Sequence, residues 1–127
     1  MRISDIGTIE LRGMEFYAYH GCLPSERKVG NRFVVDFEGK YRLKEAAERD
    51  DLGAALNYAA VYELVDREMR KPSDLLENVA GRIAQALSES FPKLLYFRVR
   101  VCKRNPPVGG RCEMACICVE GGSEQAR

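Results

Sequence analysis

The stretch "FRVRVCKRNPPVGG", residues 97–110, reads as a strand with one anomaly at its end. Phe97, Val99 and Val101 alternate with Arg98, Arg100 and Cys102, the period of two that marks a strand with one face on a core. Lys103 falls on the same odd-numbered, inward face, and Arg104-Asn105-Pro106-Pro107 closes the run. The pattern predicts a strand over about 95–103 that ends by aiming an ammonium at its own core. On one reading the strand end reaches solvent and the lysine snorkels outward. On the other, Asn105 is extended because it precedes proline, two prolines stiffen the exit, and the strand presents a partly desolvated lysine, a usable acid or base.

Working outward, a second strand is expected over about 112–120, with Met114/Cys116/Cys118 and Ala115/Ile117/Val119 making both of its faces largely apolar. Residues 8–19 read as a strand whose phase changes from Ile9 and Leu11 to Met14 and Phe16, which suggests a β-bulge at Gly13. Beyond a loop at about 20–31, Phe33, Val35, Phe37, Tyr41 and Leu43 alternate with Asp36, Glu38, Lys40 and Arg42 as a half-buried strand. The first two strands are expected to form a long antiparallel hairpin. Two helices follow. Val61, Leu64, Val65 and Met69 recur at helical spacing from near Tyr58 until Pro72; Leu76, Val79, Ile83 and Leu87 form a second stripe that ends at Pro92. Asp74 and Glu77 read as its D-x-x-E capping signal. The order ββααββ predicts an α+β domain, an antiparallel sheet with two helices on one face, over residues 1–120 and followed by a flexible tail at 121–127. An apolar second face would be covered in a homo-oligomer.

The chain of 127 residues carries 20 Lys and Arg against 19 Asp and Glu, interleaved, so no basic stripe argues for nucleic acid or an anionic membrane. "MRISDIGTIE" lacks an apolar leader core and no apolar run approaches spanning length, so a cytoplasmic, soluble protein is expected. Five cysteines, an odd number, argue against a disulfide framework; they are read as buried thiols acting as small hydrophobes. "CEMACIC" with a single histidine, His20, does not make a zinc site, and no metal is expected.

Other residues carry chemistry only in combination. Glu77, in the first turn of a helix, is either a cap or a carboxylate for a heterocycle with an amidine-like N–C–N donor edge. Glu26, in "GCLPSERKVG", reads from its spacing as a solvated loop charge. Tyr58 reads as a half-buried aromatic, and His20 in "YAYHG" as a residue satisfying a turn.

Taken together, "MEFYAYHGCLPSE", "LNYAAVYELV", "LLENVAGRI" and "KRNPPVGG" resemble, in order and spacing, the dihydroneopterin aldolases of folate biosynthesis. The resemblance runs from about residue 8 to 120. Tyr17-x-Tyr19-His20-Gly21, Asn57-Tyr58, Leu75-Leu76-Glu77 and Lys103-x-Asn105-Pro106-Pro107 carry it.

The resemblance implies the tunnelling fold (T-fold), whose subunits close a continuous β-barrel ring and stack as an octamer with active sites between subunits. It implies 7,8-dihydroneopterin as substrate, with Glu77 and the Leu76 backbone on the pterin edge. Lys103 would then be the acid/base, working with Tyr58 from a neighbouring subunit, and Glu26 would position the side-chain hydroxyls. The reaction would be a retro-aldol cleavage to 6-hydroxymethyl-7,8-dihydropterin and glycolaldehyde, accompanied by C2′ epimerisation. The N5=C6 imine of the pterin is the electron sink, so neither a Schiff base nor a cofactor is needed. Ala55, Gly109 and Arg111 depart from common family residues at the pocket rim. The rival readings are a dihydroneopterin triphosphate epimerase, which needs extra basic residues, and a non-catalytic pterin-binding protein, which would need only Glu77. A zinc-dependent pyruvoyl-tetrahydropterin synthase would need a histidine cluster.

Overall fold

A computed structural model of the chain describes residues 2–122. Four antiparallel strands lie in sequence order in one sheet: β1 (Ile6–Ala18), β2 (Asn31–Arg42), β3 (Tyr96–Arg104) and β4 (Met114–Gly122). Between them stand α1 (Pro24–Val29), α2 (Lys44–Arg49), a 3₁₀ turn at Leu52–Ala54, α3 (Tyr58–Met69) and α4 (Leu76–Ser90). The ββααββ order holds, with two short helices and the 3₁₀ turn added. Of the expected tail, Gly121 and Gly122 belong to β4, pairing with Phe97 and Tyr96, while 123–127 lie outside the described residues.

The hairpin of β1 and β2 contains the expected bulge. Leu11 pairs with Phe37 and Met14 with Val35, so Arg12 and Gly13 together oppose Asp36. Gly13 takes a left-handed φ of 73°, and its N–H donates to Asp36 Oδ1 at 2.6 Å. That conformation suits glycine, and the bulge moves the apolar face of β1 from odd to even positions.

The core forms where α3 and α4 cover the odd-numbered face of β2 and β3. Phe33, Val35, Phe37, Val99 and Val101 meet Val61, Val65, Val79, Ile83 and Leu87, all of them buried. The opposite face is charged rather than apolar. One row across it runs Glu10, Glu38, Arg98 and Glu120; the next pairs Asp36 with Arg100. Apolar residues on both faces of β4 suggested otherwise, but β2 and β3 contribute Asp36, Glu38, Arg98 and Arg100 there, and charge dominates.

The cysteine reading also needs correction. Cys102 and Cys116 stand directly opposite in the β3–β4 register, 4.1 Å apart at Cα, and are joined as a disulfide. Fourteen residues separate them in the chain, and only strand pairing brings them face to face. Cys22, Cys112 and Cys118 are exposed thiols rather than buried ones.

Candidate active site

The inward lysine is where its spacing put it. Lys103 pairs with Phe33 across β2 and with Ala115 across β4, and its side chain is 11% exposed. Its Nζ does not snorkel; it donates to Glu26 Oε2 at 2.7 Å and stands 6.0 Å from the centre of the Phe33 ring. Glu26 comes from α1, where Pro24 opens the helix at a position that needs no N–H donor. The Glu26 side chain is 14% exposed, so this is a largely buried ion pair and not the solvated loop charge its spacing suggested. Burial pushes the Glu26 pKa up. The hydrogen bond from Lys103, the amides of Leu23 and Cys22 and the lysine charge together outweigh that and hold it below the usual range, so Glu26 is a carboxylate at neutral pH.

Beyond Lys103 the exit is stiff, though not extended. Asn105 takes a left-handed φ of 47°, which asparagine tolerates better than most residues, and this overrides the bias from Pro106. Its N–H donates to the Glu113 carbonyl at 3.0 Å, and Asn31 Nδ2 donates to the Arg104 carbonyl at 2.7 Å. Both sides of the strand end are fastened.

Gly21 leaves room for this pair. A Cβ at position 21 would lie 2.5 Å from Cβ and Cδ of Glu26 and 2.6 Å from its Oε1. Gly21→Ala is therefore expected to push the carboxylate away from Lys103 and to lower kcat by roughly ten- to a hundredfold, as small displacements of reacting groups do. Steady-state turnover beside an unfolding curve checks this; wild-type turnover in the folded variant would contradict it.

Glu77 lies exposed in the first turn of α4, where the helix dipole favours a carboxylate. The expected D-x-x-E cap does not form. Leu75 occupies the N-cap position without a side-chain bond, and Asp74 is drawn instead into a salt bridge with Arg27. Leu76 follows at the first helical position. Tyr58 opens α3 just after Asn57, whose Oδ1 accepts the N–H groups of Ala59 at 3.0 Å and Ala60 at 3.3 Å. The Tyr58 side chain projects outward, 60% exposed. Among the described residues no hydrogen bond or aromatic contact joins it to Lys103, Glu26 or Glu77. The chain thus unites Lys103 with Glu26 and leaves Tyr58 facing away.

Behind these residues lies a network that local spacing did not reveal. Arg82 Nη1 donates to the Glu68 carbonyl at 3.0 Å and to its carboxylate at 2.9 Å; Nη2 donates to the Lys71 carbonyl at 2.7 Å and to Ser73 Oγ at 2.8 Å. Ser73 Oγ donates to Asn78 Oδ1 at 2.7 Å. Asn78 and Arg82 stand four apart on α4, a helical spacing visible in the sequence, whereas buried Glu68 belongs to α3. His20, only 1% exposed, packs edge-on against Phe33 and accepts the Ser73 N–H at Nδ1, 3.1 Å away.

Burial lowers the His20 pKa to about 4, with the charges of Arg82, Lys103 and Arg27 acting the same way and the Met69 carbonyl acting against them. The unfolded chain binds this proton near pH 6.5 and the folded chain only near 4, so stability is lost as pH falls through that window. On the order of 3 kcal/mol is expected to go over the whole interval. Urea midpoints at pH 7 and pH 5 check it, and a flat profile between them would contradict it.

Among the described residues, no three His, Cys, Asp or Glu side chains are placed to hold a metal ion. No helix among the described residues is long and apolar enough to cross a membrane.

A family model described as dihydroneopterin aldolase matches residues 9–120. The chain is similar to the dihydroneopterin aldolase of Staphylococcus epidermidis, 40% identical over 103 residues that cover 80% of this chain and 85% of that one. It is similar to that of Bacillus subtilis, 36% identical over 110 residues, 86% of this chain and 92% of that one. Its fold matches a crystal structure of the Escherichia coli dihydroneopterin aldolase in complex with neopterin, with a TM-score of 0.84 at 23% identity, covering 91% of this chain and 99% of that one. It also matches a Burkholderia dihydroneopterin aldolase bound to guanine, with a TM-score of 0.75 at 20% identity, covering 94% and 93%.

Proposed function

The chain belongs to the dihydroneopterin aldolase family, and from that premise we propose that the Lys103–Glu26 pair is the proton-transfer centre of its aldehyde-lyase reaction. The observation that carries this is the 2.7 Å contact between two ionised groups, both largely withdrawn from water, at the end of a core strand. A chain needing only a fold would put a hydrophobe there, because a buried ion pair is seldom more stable than its apolar replacement.

The chemistry runs as follows. The 2′-hydroxyl of 7,8-dihydroneopterin gives up its proton, the C1′–C2′ bond breaks and glycolaldehyde leaves. The electron pair passes through C6 to N5, which takes a proton, giving an enamine. C1′ is then protonated as N5 loses its proton, and 6-hydroxymethyl-7,8-dihydropterin results. Lys103 donates and recovers protons beside bound water, and Tyr58 from a neighbouring subunit shares that work. Glu26 keeps the ammonium in place and orients the side-chain hydroxyls. Glu77 accepts the pterin's 2-amino and N3–H donors, alongside the Leu76 backbone. Neopterin and guanine, named as ligands of the two structural neighbours, share that N–C–N edge. Re-addition of glycolaldehyde to its other face before release gives the C2′ epimer.

Exposed Tyr58 supports a site completed by a second copy, in a ring of chains stacked as a tetramer or octamer; residues 1–120 then act as one domain. The test uses purified protein with EDTA and 7,8-dihydroneopterin, its products followed by chromatography. Hydroxymethyl-dihydropterin and glycolaldehyde are expected in equal amounts. Binding without cleavage would remove the catalytic reading. Tyr58→Ala and Lys103→Ala chains, each nearly inactive, are expected to regain activity when co-assembled, since random mixing leaves about a quarter of shared sites intact. No recovery in the mixed oligomer would place the whole site within one chain.

A further inference from the structure

The loop that leads into α4 is held by a different device from the one that usually fixes a helix start. Its N-cap, Leu75, offers no side-chain acceptor. Ser73, two residues earlier, is instead gripped by the turn that follows β1: its N–H donates to His20 Nδ1 at 3.1 Å and its carbonyl accepts the Gly21 N–H at 2.9 Å. One residue on, Cys22 Sγ donates to the Asp74 carbonyl at 3.3 Å, and Arg27 of α1 pairs with the Asp74 carboxylate. The same two residues, His20 and Gly21, border the proton-transfer pair: the His20 ring lies on Phe33, over which Lys103 Nζ stands, and Gly21 abuts Glu26. The Met69 carbonyl also acts on the buried imidazole as a hydrogen-bond acceptor.

We infer that His20 is a positioning residue for this reaction: with Gly21 it forms a two-bond clasp on Ser73 that sets where the first turn of α4, and with it Glu77, stands relative to the Glu26–Lys103 pair. The inference rests on the proposed role of Glu77 as pterin anchor. The clasp ties the anchor to the proton-transfer centre through two peptide groups rather than through the long path of α3 and the sheet. The imidazole must be neutral to accept at Nδ1, so its proton sits on Nε2. Its surroundings agree, because burial first, and then the charges of Arg82, Lys103 and Arg27, oppose a second proton.

The test compares His20→Phe, which keeps a ring and loses the acceptor, with His20→Asn, whose amide oxygen takes the place of Nδ1. Glu77→Gln serves as the control for the anchor. For each, KM and kcat with 7,8-dihydroneopterin and Kd for 6-hydroxymethyl-7,8-dihydropterin are measured on folded, oligomeric protein. His20→Phe is expected to raise KM and Kd together by roughly tenfold, the scale of one lost buried hydrogen bond, with a much smaller change in kcat. His20→Asn is expected to recover most of that binding although it packs worse. A merely structural histidine would lower stability and leave Kd unmoved. Folded His20→Phe with wild-type Kd, or His20→Asn as weak as His20→Phe, would overturn the clasp. Wild-type binding by Glu77→Gln would instead remove the anchor reading, a separate failure. Should His20→Phe not fold, imidazole nitrogen shifts of the wild-type protein decide: a proton on Nε2 supports the clasp and one on Nδ1 overturns it.

Discussion

Replacement of Lys103 by methionine is expected to lower kcat for 7,8-dihydroneopterin cleavage by about 10²- to 10⁴-fold, the usual contribution of a positioned acid or base. Affinity for the pterin product should stay near that of wild type. Methionine keeps the length and apolar stem of the side chain, so the strand end still packs against Phe33. What disappears is the ammonium 2.7 Å from Glu26. That carboxylate then keeps its burial and loses its main stabilising partner, so its pKa moves up toward the pH of the assay. Lys103→Arg separates charge from proton transfer. Guanidinium restores a cation beside Glu26 but does not release a proton in the accessible range, so this variant should be nearly as slow as the methionine one. Steady-state kinetics with a parallel fluorescence titration of product checks both. Arginine restoring full turnover would show that position 103 supplies only electrostatics.

Arg82→Met is expected to destabilise the chain by about 3–5 kcal/mol at pH 7, the cost of removing one partner from a buried pair. Glu68, whose side chain is 8% exposed, would keep only the more exposed Lys71 and Arg67. Two carbonyls and the Ser73 hydroxyl would lose a donor at once. The pH dependence of the deficit has a sign. In the wild-type chain burial raises the Glu68 pKa, but Lys71 and Arg82 more than reverse it, so its contribution is present above the carboxylate range and is lost as pH falls. Without Arg82 the Lys71 bond remains but burial is less fully offset, so the Glu68 pKa moves up, and a protonated Glu68 needs no cation. The deficit should therefore shrink in acid. Urea unfolding of both proteins at pH 7 and pH 5 measures this. A deficit below about 1 kcal/mol would mean that Lys71 and Arg67 suffice.

Much of the fold is legible because it rests on short periods. Alternation set β2 and β3, the phase change at Gly13 located the bulge, and the stripes of Val61–Met69 and Leu76–Leu87 defined α3 and α4. The short helices escaped notice because six residues give neither period room to repeat. The site was half legible. Four separated motifs pointed to the family, and Lys103 was visible as an anomaly within its own strand. Glu26 entered only through the resemblance, since nothing local distinguishes a loop glutamate in water from one under a lysine.

Local periodicity was thus enough for the four strands, the two long helices, their order and the inward lysine. These depend on residues within a helical turn or a strand's length of one another, while the family came from four motifs held in order along the chain. Only the tertiary structure decided that Glu26, 77 residues away, reaches Lys103, that Cys102 faces Cys116, and that His20 holds Ser73 across 53 residues. It also decided that the helix-free face is charged, because that face is assembled from alternate residues of all four strands. The physical reason is common to all of these. Periodicity records which way a side chain points from its own backbone, whereas a contact between distant residues depends on the register in which whole elements pack. That register is settled by burying the core they share.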